Sequence, residues 1–164
     1  MDYIAQSEKY RPEVIETLLI GEAPPPNGKT YFYLPTTLRN NVPIARNRSL
    51  PATIFQHYFQ RLPVDEEEYR ELLAKLKQLC VFFVDIVDEP IRVRGSPEGV
   101  RRIIEAVPKL RAKLVRRNIV IDDERIIFLL ARKGYQKRIR DAFPKSSLVR
   151  WKDFRMGTSR AAAF

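Results

Sequence analysis

Four short apolar runs punctuate the chain, and stretches of helical period fill the intervals between them. Residues 18–20 (Leu-Leu-Ile), 80–87 (Cys-Val-Phe-Phe-Val-Asp-Ile-Val), 125–131 (Arg-Ile-Ile-Phe-Leu-Leu-Ala) and 147–151 (Ser-Leu-Val-Arg-Trp) are too short for buried helices. Their near-continuous apolar character is that of strands covered on both faces of a parallel sheet. Between the first two runs, Ile54, Phe55, Tyr58, Phe59 and Leu62 recur at helical spacing, with Ser49 or Leu50 ahead of Pro51 at the opening. A second helix spans 65–79: Asp65 and Glu68 form a capping-box-like start, three glutamates suit the positive N-terminus, and Tyr69, Leu72, Leu73, Leu76 and Leu79 make one apolar face. Ser96-Pro97 opens a third, whose face of Val100, Ile103, Ile104 and Val107 must break or restart at Pro108 before Leu110, Leu114 and Val115 continue it. A short basic helix follows Lys133-Gly134-Tyr135 and ends at Phe143-Pro144. Residues 1–15 read as a helix or irregular arm, 38–50 as a long loop, and 118–124 as a connection that admits a short strand. Strand, helices, strand, helix, strand, helix, strand is the order of a three-layer αβα domain, a single unit over 1–164 with a central, mostly parallel four-stranded sheet.

Charge changes this picture from a scaffold to a binder. The net charge is +10 and the pI near 9.9, a balance that favours a polyanionic partner, nucleic acid and DNA in particular. The excess is uneven: residues 1–35 are acid-rich, 36–62 hold Arg39, Arg46, Arg48 and Arg61 without a carboxylate, and basic residues dominate beyond Arg92. Arg101, Arg102, Lys109, Arg111, Lys113, Arg116 and Arg117 fall opposite the apolar face of the third helix, where they serve equally as a solvated surface or a phosphate-tracking one. His57, the single histidine, lies off its helix's apolar stripe and reads as a surface residue. One cysteine, Cys80, excludes an intrachain disulfide framework and a cysteine-only metal cluster. The opening residues lack a signal-peptide pattern, and no apolar run reaches the ~18 residues of a membrane span. The expectation is a soluble, cytoplasmic monomer with no membrane partner, no metal and no cofactor.

The chemistry concentrates in residues 16–33, where the first apolar run meets Gly21, Glu22, three prolines and Tyr31-Phe32-Tyr33. Ligands of α/β proteins bind in the crevice beyond the carboxyl ends of parallel strands, and Glu22 would sit at its mouth. Ala23 to Thr30 matches a loose P-loop ending in Gly28-Lys29-Thr30, which with Asp85 and magnesium would make a phosphotransferase. Pro24, Pro25 and Pro26, however, have no N–H to offer a phosphate, and the aromatic run that follows is a poor first helical turn. Gly21-Glu22-Ala23-Pro24 after a hydrophobic strand resembles instead the first motif of the thermostable branch of the uracil-DNA glycosylase superfamily, although Pro25 stands where that branch carries another glycine. The resemblance implies that Glu22 positions water or stabilises an oxocarbenium-like sugar. It implies that Gly21 and Ala23 shape the base site and that an aromatic stacks on the extruded base, Phe32 being the best match and Tyr31 and Tyr33 its rivals. It also implies that Asp85 reads the base where the superfamily keeps an asparagine. The branch's iron–sulfur cluster is not inherited, for want of cysteines. The second motif's histidine is missing too: after the fourth strand comes Lys152-Asp-Phe-Arg-Met-Gly-Thr-Ser-Arg160, in which Arg155, Thr158, Ser159 and Arg160 could hold a nucleic-acid backbone and Met156 could act as a wedge. A non-catalytic basic nucleic-acid-binding module is the remaining reading.

Overall fold

The computed structural model describes residues 1–26, 31–35, 49–93 and 95–154. The four apolar runs become four strands, β1 (Thr17–Gly21), β2 (Val81–Asp85), β3 (Ile126–Leu130) and β4 (Ser147–Arg150), in the spatial order β2-β1-β3-β4. Every pairing among them is parallel, so the sheet is more uniform than the sequence pattern required. Register follows the apolar residues: Leu19 faces Phe83 on one side and Ile127 on the other. Leu18, Leu19, Ile20 and Phe128 have no exposed surface, the expected state of strands covered on both faces.

Helices cover those faces. Tyr3–Glu8 (α1) is capped by Asp2, whose carboxylate accepts from the Ala5 N–H. Leu50–Phe59 (α2) is capped by Ser49, and Glu66–Gln78 (α3) by Asp65. The Asp65 carboxylate accepts from Glu68 N at 2.8 Å, while Glu68 reaches back one residue further than a standard box and accepts from Val64 N at 2.7 Å. Pro97–Ala106 (α4) passes into Leu110–Arg116 (α5) through a 3-10 turn over Val107–Lys109, because Pro108 cannot donate an intrahelical hydrogen bond. Gln136–Ala142 (α6) joins β3 to β4. Residues 118–124 form no strand; Asn118 adopts a left-handed φ of 53° and a 3-10 turn covers Asp123–Arg125.

From β1 the chain moves outward to β2, then returns across β1 to β3. Right-handed crossovers therefore place α2 and α3 on one face and α4, α5 and α6 on the other, giving three layers. They also create a topological switch point between β1 and β3, where the loops leaving neighbouring strands diverge and a crevice opens at their carboxyl ends.

Two members of the basic helical face are interior. The Lys113 ammonium donates to the carbonyls of Asp85 (2.6 Å) and Ile86 (3.3 Å) and pairs with Asp88, so all three of its donors are used beneath the loop leaving β2. Burial lowers its pKa, partly countered by Asp88 and Asp85. Arg117 pairs with Glu8, donates to Ser7 Oγ at 2.8 Å and lies over the Phe82 ring, fastening α1 to the end of α5. The apolar periodicity could not reveal this, since a long basic side chain at a helix's edge can snorkel inward as readily as outward.

Candidate functional site

The carboxyl ends of all four strands meet at one cavity of about 260 Å³, lined by Glu22 after β1, Asp85 at the end of β2, Leu129 and Ala131 at the end of β3, and Trp151 after β4. The opening turn of α2 closes one side with Ser49, Leu50 and Pro51. Ala23, Pro25, Tyr31, Phe32 and Phe83 complete the wall. This volume lies at the small end for ligand sites and suits one heterocycle better than a whole nucleotide.

Glu22 spans the switch point. Its Oε1 accepts from the Ala131 N–H at 2.6 Å, which ties the loop after β1 to the loop after β3. Its Oε2 is buried and has no hydrogen-bond partner among the described residues, in a side chain left 4 % exposed. A carboxylate has about four lone-pair sites, and leaving them empty away from water is costly, so such an oxygen calls for a water, a ligand or a proton.

Asp85 is buried beside it at 5 % exposure, and the two carboxyl groups share the cavity. Gly21 permits this closeness. A Cβ on Gly21 would meet the Asp85 Oδ1 at 2.7 Å and the Phe83 ring at 2.6 Å, so only a residue without a side chain lets both fold over the end of β1. Gly21 therefore shapes the site without lining it. The β1–β2 ladder runs on past the strands, with Ile86 N donating to Gly21 O (2.9 Å) and Val87 N to Glu22 O (3.1 Å), and so fixes the backbone of both acidic residues.

Three tyrosine hydroxyls hold the proline and aromatic segments in place. Tyr3 donates to Pro25 O at 3.4 Å, Tyr69 to Phe32 O at 2.6 Å, and Tyr33 both donates to Phe83 O (3.0 Å) and accepts from Phe83 N (2.8 Å). β2 is an edge strand, so the Tyr33 hydroxyl stands in for a missing neighbour on its free side. Tyr33 is accordingly buried under the site and outside the cavity lining. Phe32 and Tyr31 do line it, with Phe32 packed on Phe83 at 4.9 Å between centroids. Burial, and after it the charge of Asp85, hold the Tyr31 pKa well above the usual phenol value, so Tyr31 is a neutral hydroxyl.

Among the described lining residues no lysine, arginine or histidine appears. His57 is half-buried and stacked on Phe154 at 3.9 Å, away from the lining and less superficial than its position off the helical stripe suggests. Around the mouth the sign changes: Arg92, Arg132, Lys133 and Lys152 are exposed on the loops that follow β2, β3 and β4. Arg132 lies against Gly95, where any side chain would collide with its guanidinium. Arg155, Met156, Thr158, Ser159 and Arg160 lie outside the described residues, as do Gly28, Lys29 and Thr30. Residues 31–35 form turns rather than the helix a P-loop opens, and the next described helix begins at Leu50. No group of three or more His, Cys, Asp or Glu side chains among the described residues is placed to hold a metal ion, and no described helix is long and apolar enough to cross a membrane.

Phe83, Trp151 and the Ser49-Leu50-Pro51 turn are parts of the site that the sequence pattern does not announce. Phe83 reads as one more core residue of an apolar strand, and only the close approach permitted by Gly21 turns its ring to the cavity. Trp151 reads as the last residue of a strand. The one available signal was its position at the carboxyl end, where ligand-facing residues concentrate. Comparison with protein-family models, curated proteins and solved structures finds no match to this chain.

Proposed function

We propose that the chain is a nucleic-acid-binding, uracil-DNA glycosylase-like protein whose cavity receives an extruded base and whose chemistry is hydrolysis of the N-glycosidic bond. The observation that carries the reading is the second oxygen of Glu22, buried and unpartnered at an aromatic-walled cavity beside a second carboxyl group. The likeness of Gly21-Glu22-Ala23-Pro24 to the superfamily's first motif supports it, as does the basic rim formed by Arg92, Arg132, Lys133 and Lys152.

Extruding a base costs a few kcal/mol of lost stacking and pairing, which the faces of Tyr31, Phe32, Phe83 and Trp151 offset. As the C1′–N bond lengthens, its electron pair moves to the base nitrogen and the sugar becomes an oxocarbenium-like cation. Glu22 stabilises that cation and accepts the proton of the water that adds to C1′. Asp85, when ionised, only accepts hydrogen bonds, so it favours an exocyclic amine and meets the O4 of uracil acceptor to acceptor. Arg155, Thr158, Ser159 and Arg160 are the proposed holders of the strand beyond the site.

The test is base release from oligonucleotides carrying uracil, hypoxanthine or an amino-bearing lesion. Wild type should release the amino-bearing base fastest, and Glu22→Gln should be slower by about 10²-fold or more. Asp85→Asn should move the preference toward uracil by roughly tenfold, the worth of one restored donor. Release that is undiminished in Glu22→Gln, or absent for every base, contradicts the reading.

A further inference from the structure

Resting on the reading that the cavity holds a base, the balance of charge inside it defines which base. Its described ionisable lining consists of Glu22, Asp85 and the neutral phenol of Tyr31, and its remaining polar side chain is that of Ser49. The Lys113 ammonium, which feels Asp85, lies outside the lining and is committed to Asp88 and two carbonyls. Arg117 is committed to Glu8 and Ser7. The N-terminus of α2 contributes a positive end equivalent to about half a charge. That end is largely occupied, since Ser49 Oγ accepts from Ala52 N at 3.3 Å, Thr53 N donates to Ser49 O at 3.1 Å, and Pro51 has no N–H. Two carboxyl groups, one with a buried oxygen that nothing described satisfies, thus face four aromatic side chains. Aromatic faces combined with carboxylates form the environment that draws a delocalised cation out of water.

We propose that the cavity selects a positively charged, N-alkylated nucleobase over the neutral base of the same ring system. Such a base is matched to the chain in a second respect. When a cationic base leaves, the C1′–N bond breaks with its electron pair going to the ring nitrogen, and the base departs neutral. The water oxygen bonds to C1′ and the water proton passes to the Glu22 carboxylate, so charge and atoms balance. No group is needed to stabilise an anionic leaving base, and the lining holds no described cation that would do so. A neutral base would have to depart as an anion between two carboxyl groups, the arrangement that repulsion most disfavours.

The experiment has a binding arm and a release arm. Calorimetry at pH 7 compares 1-methyladenosine, a cation there, with adenosine, and choline serves as a cation without a ring system. The expected result is at least about tenfold tighter binding of 1-methyladenosine than of either, a margin that shrinks in Glu22→Gln and in Asp85→Asn. Base release is then measured from oligonucleotides carrying 7-methylguanine, hypoxanthine or uracil, with 7-methylguanine expected fastest by the same margin. Cation preference in calorimetry without release of any base upholds the selectivity and removes the hydrolase reading. Release of the neutral bases at an equal or higher rate upholds the hydrolase and overturns the selectivity. Equal binding of choline overturns the assignment of the cation as a base.

Discussion

Gly21, Glu22, Tyr33 and Asp85 show what single residues contribute, and each makes a distinct prediction. Gly21→Ala forces the Asp85 carboxylate and the Phe83 ring apart, because both stand within 2.7 Å of the new methyl. Overpacking of this kind costs about 1–3 kcal/mol, and urea unfolding should read a loss in that range together with weakened ligand binding. Tyr33→Phe removes the hydroxyl that satisfies both Phe83 N–H and C=O. Its expected cost is again about 1–3 kcal/mol. Its effect on base selectivity should be small, since Tyr33 lies beneath the site; a large change in selectivity with unchanged stability would show that it touches the ligand. The sequence singled out Glu22 and Asp85, and the structure brings them into one cavity. It could not separate Phe32 and Tyr31, which line that cavity, from Tyr33, which braces an edge strand, because three consecutive aromatics in a turn carry no periodicity to say which faces inward.

At the scale of elements, the strands and long helices were legible because their signals are local. Asp65 before three glutamates and the Tyr69, Leu72, Leu73, Leu76 stripe gave α3, and the structure ends it within a residue of the expected limits. Asp65→Ala should cost about 1 kcal/mol by freeing the Glu68 N–H, measured as a lower urea midpoint. The roles of α5 and of the α2 N-terminus were not legible, because they depend on what lies across the fold. Lys113 of α5 holds the carbonyls of Asp85 and Ile86, a contact 28 residues distant in sequence. Ionisation adds a test at this scale. Burial raises the pKa of Tyr58 in α2 to about 12 and keeps Tyr31 and Tyr33 well above the phenol norm. A group whose pKa is raised on folding stabilises below its unfolded value, about 10 for tyrosine, and that stability disappears as pH climbs toward the folded value. Lys113 has the opposite sign: its pKa is lowered, so its charge is a cost that alkali relieves. Three tyrosines against one lysine give a net loss, and the urea midpoint should fall from about pH 10 toward 12. Tyr58→Phe should flatten that fall, and a midpoint that rises over this range would contradict the burial of these phenols.

For the whole molecule, the strand order β2-β1-β3-β4 puts a switch point, two carboxyl groups and the only tryptophan of the chain at one end of the sheet. Arg92, Arg132, Lys133 and Lys152 ring that end, and a net charge of +10 extends the same sign over the surface. DNA binding should therefore weaken steeply with salt, the logarithm of affinity falling by about 0.9 per neutralised phosphate for each unit in the logarithm of salt concentration. Reversing Arg132 and Lys133 to glutamate should lower the slope, and binding that is absent even at low salt would remove nucleic acid as the partner. That a base enters the cavity is the central claim, and the lone tryptophan reports on it. Trp151 emission in Glu22→Gln, the variant expected to bind without turning over, is titrated with a duplex carrying one mispaired 7-methylguanine and with the same duplex carrying an abasic analogue there. A saturable change in emission with the first and none with the second, while both bind by anisotropy, is the predicted result; equal binding with unchanged Trp151 emission for both would contradict it.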